Sequence, residues 1–512
     1  MLLFRKPFLS MLLLALACGC RVGPKYHPPI LEAPSEWKQG GDTCDSQNVF
    51  RGLWWEVFED EQLNCLEQQA VISNPNLFVA LDRVAQARAI VGVDAAALYP
   101  QINLNPSYTN TGQLFKIYLP NGGSFLPQSF PQVYRIHQLQ YTMPFNMSYE
   151  IDLWGKLRDQ YDSAIFSAQM QEENLQVALL TVTTDLASSY FLMRSLDALI
   201  EVTLDNLNYL NTNVGLVTSR FNKGLIGELD VVSAKQQLAD NEALYYDTLR
   251  QRRLHENAIA TLIGLPSPLF CLESMPLREL PPPVKANLPS EVLLQRPDLR
   301  AAERSMAAQH ALIGVAYASF FPSVELTGIL GFFSPDLKNF MTWKSRLWSL
   351  GVNAAQPIFD GGYNLANLKL TRAEFQETLH DYQQKVLTAF QEVEDALVNI
   401  QLQAMEYDRY LVSSEFAQKR IQLSTSRYTK GFSNYLDVLD SERSKIQTDI
   451  NRANVLGQYY LSTVQLIKAL GGNWSFSLQL PFEEPRSSCE GEEDDDSSGP
   501  SVTDDNICRH IF

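Results

Sequence analysis

The feature that most constrains this chain is an internal duplication. Residues 219–264 and 426–471 align without a gap, and both segments share Ser-Arg, an aromatic residue, Lys-Gly and Leu-Asp-Val in the same order. In each segment a short glycine-containing turn precedes a run of strong helix formers that closes at a glycine, which predicts a turn followed by a capped helix. A match of this length indicates a duplicated chain.

A second pair of matching segments lies upstream of each of these. Pro75 and Pro297 open predicted helices, and Pro100 and Pro322 follow their ends at the same spacing. Proline is tolerated at a first helical turn or beyond a helix end, where its missing N–H costs least. The spacing between equivalent positions is larger here than in the 219–264 and 426–471 pair, so the first half contains an insertion. We expect this insertion, of roughly fifteen residues, in an exposed loop between residues 113 and 135.

Between these segments the apolar pattern changes to a period of two. Alternate residues from 139 to 153 are apolar, a partner strand begins at residue 102, and the second half repeats the pattern at residues 324–332 and 348–358. This alternation predicts four strands per chain with one apolar face. The sequence offers no second sheet to cover that face, which favours contact with lipid. Four strands are too few for a barrel, which needs about eight, whereas three copies would supply about twelve.

Each predicted hairpin is followed by a long helical run. Roughly sixty residues without proline follow Gly155 and Gly362, and one helix of that length would extend about 90 Å. Apolar residues in the second run alternate steps of three and four, which is typical of a coiled-coil seam, and a second stripe lies beside it. Two stripes suit a helix with a neighbour on each side, although the core of an ordinary bundle fits as well. The first stripe comprises Leu379, Tyr382, Val386, Ala389, Val393, Ala396 and Ile400, and the second Leu387, Phe390 and Leu397.

The N-terminus carries the pattern of a secretory signal. Arg5 and Lys6 precede a short apolar run that ends in Ala-Cys-Gly-Cys at residues 17–20. The small residues before Cys20 resemble the lipobox of bacterial lipoproteins, which implies cleavage before Cys20 and attachment of a lipid such as palmitate to it. Cys18 fits the same pattern more loosely, and an ordinary cleaved signal remains an alternative. A proline-rich tether follows as far as about residue 34.

Besides the lipidated Cys20, five cysteines would remain after that cleavage, an odd number in a compartment that favours disulfides. Their spacings match no metal-binding motif, and spacing alone does not decide whether Cys44 and Cys65 are bonded. The five are Cys44, Cys65, Cys271, Cys489 and Cys508.

Charge and motifs exclude several classes of function. The formal net charge is −17, which argues against a nucleic-acid partner because phosphate binding needs a basic face. The six histidines are scattered, and the chain has no nucleophile elbow, phosphate loop or paired CxxC motif. We therefore expect no enzyme activity, no cofactor and no metal site.

Together these motifs resemble the outer-membrane efflux proteins of the TolC type, and specifically the lipidated branch that includes OprM and NodT. The resemblance covers about residues 20–481, in the order and with the duplication of that family. It rests on Cys-Arg-Val-Gly-Pro-Lys-Tyr-His-Pro-Pro from residue 20, Asn-Pro-Asn-Leu from residue 74, Arg-Pro-Asp-Leu-Arg from residue 296, Gln-Pro-Ile-Phe-Asp-Gly-Gly from residue 356 and the two glycine-containing turns.

The resemblance implies a fold. It is a mixed α/β membrane protein, mainly α, in which a homotrimer shares a twelve-stranded outer-membrane β-barrel. Each chain contributes four strands to that barrel and several long helices to a coiled-coil helical barrel in the periplasm. The implied location is the bacterial outer membrane, with a lipid anchor and a long periplasmic extension.

The resemblance also implies a function. The chain would be a passive exit duct for drugs or other small molecules, supplied by an inner-membrane pump of the RND or ABC type through a periplasmic adaptor protein. A type I protein-secretion channel is one alternative, and the lipid anchor favours small-molecule efflux over it. A periplasmic coiled-coil lipoprotein that never spans the membrane is another, which the alternating strands argue against.

In this family the turns at the two helix tips close the duct and face the adaptor. The resemblance places the gate at Tyr428, Leu436, Asp440 and Arg443. Asp440 and Arg443 stand three residues apart, which predicts an ion pair on one helix face, and a ring of three Asp440 carboxylates would favour cations. A functionally silent surface pair is the alternative. The first half has uncharged residues at the positions of this pair, so only the second half is a gate candidate. The residues expected in turn geometry or adaptor contact are Arg220, Lys223, Gly224, Arg427, Lys430 and Gly431.

The sequence divides into six expected segments. They are a lipoprotein signal peptide at 1–19, a lipidated tether at 20–59, a first repeat at 60–270, a linker at 271–288, a second repeat at 289–474 and an acidic, disordered tail at 475–512.

Overall fold

The computed structural model describes residues 21–29, 34, 36–38, 53–117, 132–284 and 295–472. The predicted signal peptide, Cys20, Cys44 and the acidic tail lie outside the described residues. The helices are α1 (Glu61–Ser73), α2 (Pro75–Ala96), α3 (Lys156–Asn222), α4 (Glu228–Leu262), α5 (Pro297–Ala318), α6 (Tyr363–Thr429) and α7 (Tyr435–Ala469). The strands are β1 (Gln101–Leu104), β2 (Ser107–Ile117), β3 (Gln132–Ile151), β4 (Ser323–Ser334) and β5 (Arg346–Ala355). Short 3₁₀ helices lie at Trp54–Phe58, Ser267–Leu269, Leu337–Asn339 and Trp343–Ser345.

The duplication extends to the bounds of the helices. α3 and α6 have 67 residues each, and α4 and α7 have 35 each. Both pairs begin and end at equivalent positions of the two repeats. α2 and α5 have 22 residues each, and each begins at the proline that marks its start in the sequence. The long helices and the helices opened by proline, which the sequence predicts, are therefore confirmed.

The chain forms two compact units, and each takes segments from both repeats. One comprises residues up to 29, 83–171 and 302–382 and contains the whole described sheet; we call it the sheet unit. The other comprises residues 30–82, 172–301 and 383 onward and contains α1, α4, α7 and the C-terminal parts of α3 and α6; we call it the helical unit.

The sheet is antiparallel, with β3 and β4 at its centre. β4 pairs with β3 and with β5, whereas β1 and β2 both pair with β3 on its other side. The first strand, predicted as one segment, is thus divided into β1 and β2 at Asn105 and Pro106. Proline has no N–H to donate to a strand ladder, and the register continues across the break because the Asn105 N–H still donates to the Pro144 carbonyl at 3.1 Å. The sheet therefore has the four predicted strand positions in five segments.

The two faces of the sheet differ in polarity, as the alternation predicts. Leu104, Phe145, Leu330 and Trp348 are opposite one another across the strands and form an apolar row. Trp348 retains 71% of its accessible surface. The other face carries mostly polar residues, including Gln101, Ser148 and Thr327 in one cross-strand row.

The core of the helical unit lies where α1 and the Trp54–Phe58 helix pack against α3, α4 and α7. Trp54 and Trp55 are fully buried there beside Leu186, Ile259 and Val464. By length and composition alone, part of α3 is apolar enough to cross a membrane, but half of that stretch is buried inside the protein, as in the core helix of a soluble domain. Burial of these apolar residues is the main force that holds the long helices together.

Candidate gate at the helix tips

The two helix–turn–helix tips have the same backbone geometry. At the first tip the Leu225 N–H donates to the Arg220 carbonyl at 3.0 Å, and at the second the Phe432 N–H donates to the Arg427 carbonyl at 2.9 Å. These bonds close the helices in the Schellman pattern, which needs a residue in the left-handed region. Gly224, with φ of 70°, and Gly431, with φ of 79°, occupy that position. Both glycines therefore lie where the turn requires them, and their contact with an adaptor stays a prediction.

The two tips pack against each other through a small apolar core. It combines residues of both repeats, so the hairpin of α3 and α4 is joined to the hairpin of α6 and α7. The buried members are Val217, Val231, Ala234, Tyr428, Tyr435, Val438 and Leu439.

Tyr428 lies at the centre of this core. Its ring is 7% exposed and lies 5.6 Å from the ring of Tyr435, centroid to centroid. The Arg220 guanidinium lies over the same ring, 4.5 Å from its centroid, which is within the range of a cation–π interaction. A residue predicted for the gate and a residue predicted for the turn thus form one contact between the repeats.

The prediction of an ion pair between Asp440 and Arg443 within one chain is wrong. Asp440 pairs with Arg420 of α6, and the Arg443 Nε donates to Gln237 Oε1 of α4 at 2.5 Å. Residues three apart share a helix face, but here each side chain has a closer partner on a neighbouring helix. Arg420 and Asp440 are exposed, at 50% and 71% of their side chains.

The remaining predicted residues lie on the surface of the tips. Leu436 is half exposed, and Lys223, Arg427 and Lys430 are exposed. Arg427 and Asp440 line a groove of about 590 Å³ between α6 and α7. The other lining residues include Phe416, Lys419, Arg420, Leu423 and Asp437.

Two residues of the tip were not singled out from the sequence. Glu442 of α7 is 1% exposed, and the Asn213 Nδ2 of α3 donates to its Oε1 at 2.7 Å. Asn213 also donates to the Tyr435 hydroxyl at 3.1 Å. Burial raises the pKa of the Glu442 carboxyl to about 7, and the nearby Tyr209 hydroxyl offsets part of that rise. The sequence contained a signal, because Glu442 shares the buried face of α7 with Tyr435 and Val438.

The first described residues of the chain lie where β3 ends and α3 begins. Arg21 pairs with Asp159 and Asp162 of α3, and the Val22 N–H donates to the Trp154 carbonyl at 3.2 Å. Further along, the Tyr26 hydroxyl donates to Glu303 of α5 at 2.8 Å. The residue that follows Cys20 is therefore held at the corner between β3 and α3.

The described part of the chain contains two cysteines. Cys65 takes part in a disulfide bond whose partner lies outside the described residues, and Cys271 is free and exposed. Among the residues that the structure describes, no group of three or more histidine, cysteine, aspartate or glutamate side chains is placed to hold a metal ion.

Comparison with known proteins decides the family. The sequence profile described as outer membrane efflux protein matches residues 66–265 and 288–472, one segment in each repeat. The chain belongs to the outer membrane efflux protein family. Members of this family are transport proteins, and this chain is an outer-membrane channel component of an efflux system.

Individual relatives cover nearly the whole chain. The solvent efflux pump outer membrane protein SrpC of Pseudomonas putida is 30% identical over 484 residues, which span 92% of this chain and 98% of SrpC. The cation efflux system protein CusC of Escherichia coli is 30% identical over 476 residues, 89% of this chain and 96% of CusC. The solved structure of the outer-membrane channel OprN superposes with a TM-score of 0.80 at 28% identity, and covers 89% of this chain and 100% of OprN.

These comparisons confirm the resemblance found in the sequence, together with the fold class and the outer-membrane location that it implied. The long helices and the sheet are those of an efflux channel.

Proposed function

We propose that three copies of this chain form a passive duct through which small molecules leave the cell across the outer membrane. The sheet carries this proposal. One of its faces is apolar and exposed, and in the described residues β5 and the β1–β2 edge each lack a second neighbour. Unpaired strand edges with an apolar face are not stable in a bilayer unless the sheet closes. Three sheets joined edge to edge provide about twelve strands, enough to close a barrel.

The helix tips serve as the closable end of this duct. Tyr428, Leu436, Asp440 and Arg443 form the gate, and the turn residues Lys223, Arg427 and Lys430 face the adaptor. Three features support this assignment: the tips pack across the repeats, the charged side chains are exposed, and a groove lined by Asp440 and by basic residues such as Arg427 lies beside them. The partners are a periplasmic adaptor protein and an inner-membrane pump of the RND or ABC type.

A lipid on Cys20 anchors each chain to the membrane. The contacts of Arg21 and Val22 beside Trp154 support this, because they hold the residues that follow Cys20 in sequence at the junction of β3 and α3. Trp154 stacks on Phe321, with ring centroids 4.7 Å apart, and aromatic residues of this kind are enriched where a membrane meets water.

The cargo is a small molecule rather than a folded protein. The relatives named for solvent and cation efflux support this class.

Single-channel conductance of the purified full chain in planar bilayers tests the proposal. We expect discrete, small conductance steps from a species with the mass of three chains. Asp440→Ala is expected to reduce cation selectivity, because it removes the carboxylate ring, whereas Asp247→Ala on the exposed surface of α4 should leave selectivity unchanged. A folded oligomer without conductance would refute the duct. An unchanged selectivity in Asp440→Ala would keep the duct and remove Asp440 from the gate.

A further inference from the structure

The contact between Asn213 and Glu442 involves a buried carboxyl and no cation. Glu442 Oε1 accepts the Asn213 amide, and the Tyr209 hydroxyl also interacts with this carboxyl, whereas Oε2 is buried and has no partner at hydrogen-bond geometry among the described residues. A buried carboxylate without a cation or a full set of donors is strongly disfavoured. The packed tip therefore prefers the neutral acid.

Among the residues that the structure describes, no positive charge is placed to compensate this carboxyl. Arg443, the next residue along α7, is bound to Gln237, and Arg220 lies over the Tyr428 ring. The titratable neighbours of the contact are Tyr209 of α3, Asp230 of α4, Tyr428 of α6 and Tyr435 of α7. None of these carries a positive charge at any pH.

The two residues come from different repeats. Asn213 is in α3 and Glu442 is in α7, so their contact joins the first hairpin to the second next to the apolar core of the tip. Any movement that separates the hairpins must break it and expose the carboxyl to water.

We propose that Asn213 and Glu442 form the contact that holds the two hairpins of each chain together when the duct is closed, and that a proton on Glu442 is required for that contact. This inference rests on the proposed function of the tips as the closable end. Its effect is a duct that closes more firmly in acid and loosens as the periplasm becomes neutral or alkaline.

The sign and size of the effect follow from proton linkage. The carboxyl has an ordinary pKa of 4.5 in water and one of about 7 in the packed tip, so the packed tip binds the proton more tightly than the open tip. The contribution of the Glu442 proton to the stability of the closed state is thus fully present at low pH and is lost as the pH rises through about 7. Between about pH 6 and about pH 8 the ratio of closed to open tips should fall about tenfold.

The test compares the full-length wild type with Glu442→Gln. Glutamine keeps an oxygen for the Asn213 amide and has no proton to lose. In planar bilayers the open probability of the wild type should rise at least about tenfold from about pH 6 to about pH 8, because each duct contains three such contacts, whereas that of E442Q should stay at the low-pH value. Glu228→Gln, a matched loss of an exposed carboxylate in the first turn of α4, should respond as the wild type does.

A second measurement does not need conduction. Spin labels on cysteines placed at Lys223 and Lys430, in a background with Cys271 and every other free cysteine outside the Cys65 disulfide replaced by Ser, report the separation of the two tips. The distance distribution should broaden with rising pH in the wild-type background and not with E442Q.

The outcomes separate the inference from the proposed function. Tips that part with pH in a protein without conductance would support the contact and refute the duct. A pH-independent wild type, or an E442Q variant that still responds like the wild type, would overturn the assignment to Glu442.

Discussion

Removal of the Asp197 carboxylate from α3 tests how the long helices are held to the segment that follows α4. Asp197 is fully buried and accepts three hydrogen bonds: from Arg252 Nε at 2.6 Å, Arg194 Nη1 at 3.0 Å and the Met275 N–H at 3.0 Å. Asp197→Ala would leave two buried guanidinium groups without their shared anion. Breaking a buried pair in this way costs about 3–5 kcal/mol.

The two arginines keep other partners in the variant, and these partners reduce the expected loss of stability. Arg194 also donates to the Glu273 carbonyl at 2.5 Å, and Arg252 donates to the Leu272 carbonyl at 2.7 Å. These bonds remain in the variant, and Arg252 also keeps its ion pair with Glu256 at 3.4 Å, whereas the carbonyl does not neutralise the charge of Arg194. We therefore expect a loss near the lower end, about 3 kcal/mol, in the free energy of unfolding.

The assay is equilibrium unfolding of the detergent-solubilised protein in urea, followed by circular dichroism. The matched control is Asp247→Ala, because Asp247 pairs with Arg250 at 2.6 Å with the same three-residue spacing in sequence but on the surface. That control should unfold like the wild type, since exposed pairs are screened by water. Equal midpoints for Asp197→Ala and the wild type would show that the network does not stabilise the helical unit.

Three further predictions concern other parts of the molecule. Gly314→Ala should make residues 21–26 more susceptible to trypsin, because a Cβ at this position overlaps the Asp159 carboxylate that binds Arg21. Gly92→Ala, which has open space around it, should leave the digestion pattern unchanged. Leu350→Arg on the apolar sheet face should cost about 2–4 kcal/mol of membrane insertion and reduce the outer-membrane fraction, whereas Ser349→Arg on the polar face should not. Tyr428→Phe should leave the thermal midpoint unchanged or raise it slightly, because the hydroxyl is buried without a partner in the described residues; a clear fall would reveal a bond that this packing lacks.

Much of the fold follows from periodicity alone. The constant spacing between the repeats predicts equivalent helix pairs, and the structure gives them equal lengths. Alternation predicts the apolar face that carries Leu104 and Trp348. These features depend only on spacing along one element, which a sequence displays directly.

Contacts between elements are less predictable. The sequence places Asp440 and Arg443 on one face of α7, but their partners are Arg420 of α6 and Gln237 of α4. Which neighbour a side chain meets depends on the rotation and offset of packed helices, and a single sequence does not specify these. The burial of Glu442 was not predicted for a different reason, which is that a glutamate on a helix is usually exposed.

The duplication gives the Asn213–Glu442 contact a counterpart with different chemistry. In the alignment of the two repeats, Arg420 is the equivalent of Asn213 and Lys235 is the equivalent of Glu442. In the proposed trimer each chain contributes two hairpins, so junctions inside a chain alternate with junctions between chains. The inner junctions carry a shared hydrogen bond, whereas the corresponding positions at the outer junctions carry two cations. Such a ring would be held together chiefly at its inner junctions, so loss of the Glu442 proton would remove its main restraint and let the two hairpins of each chain separate.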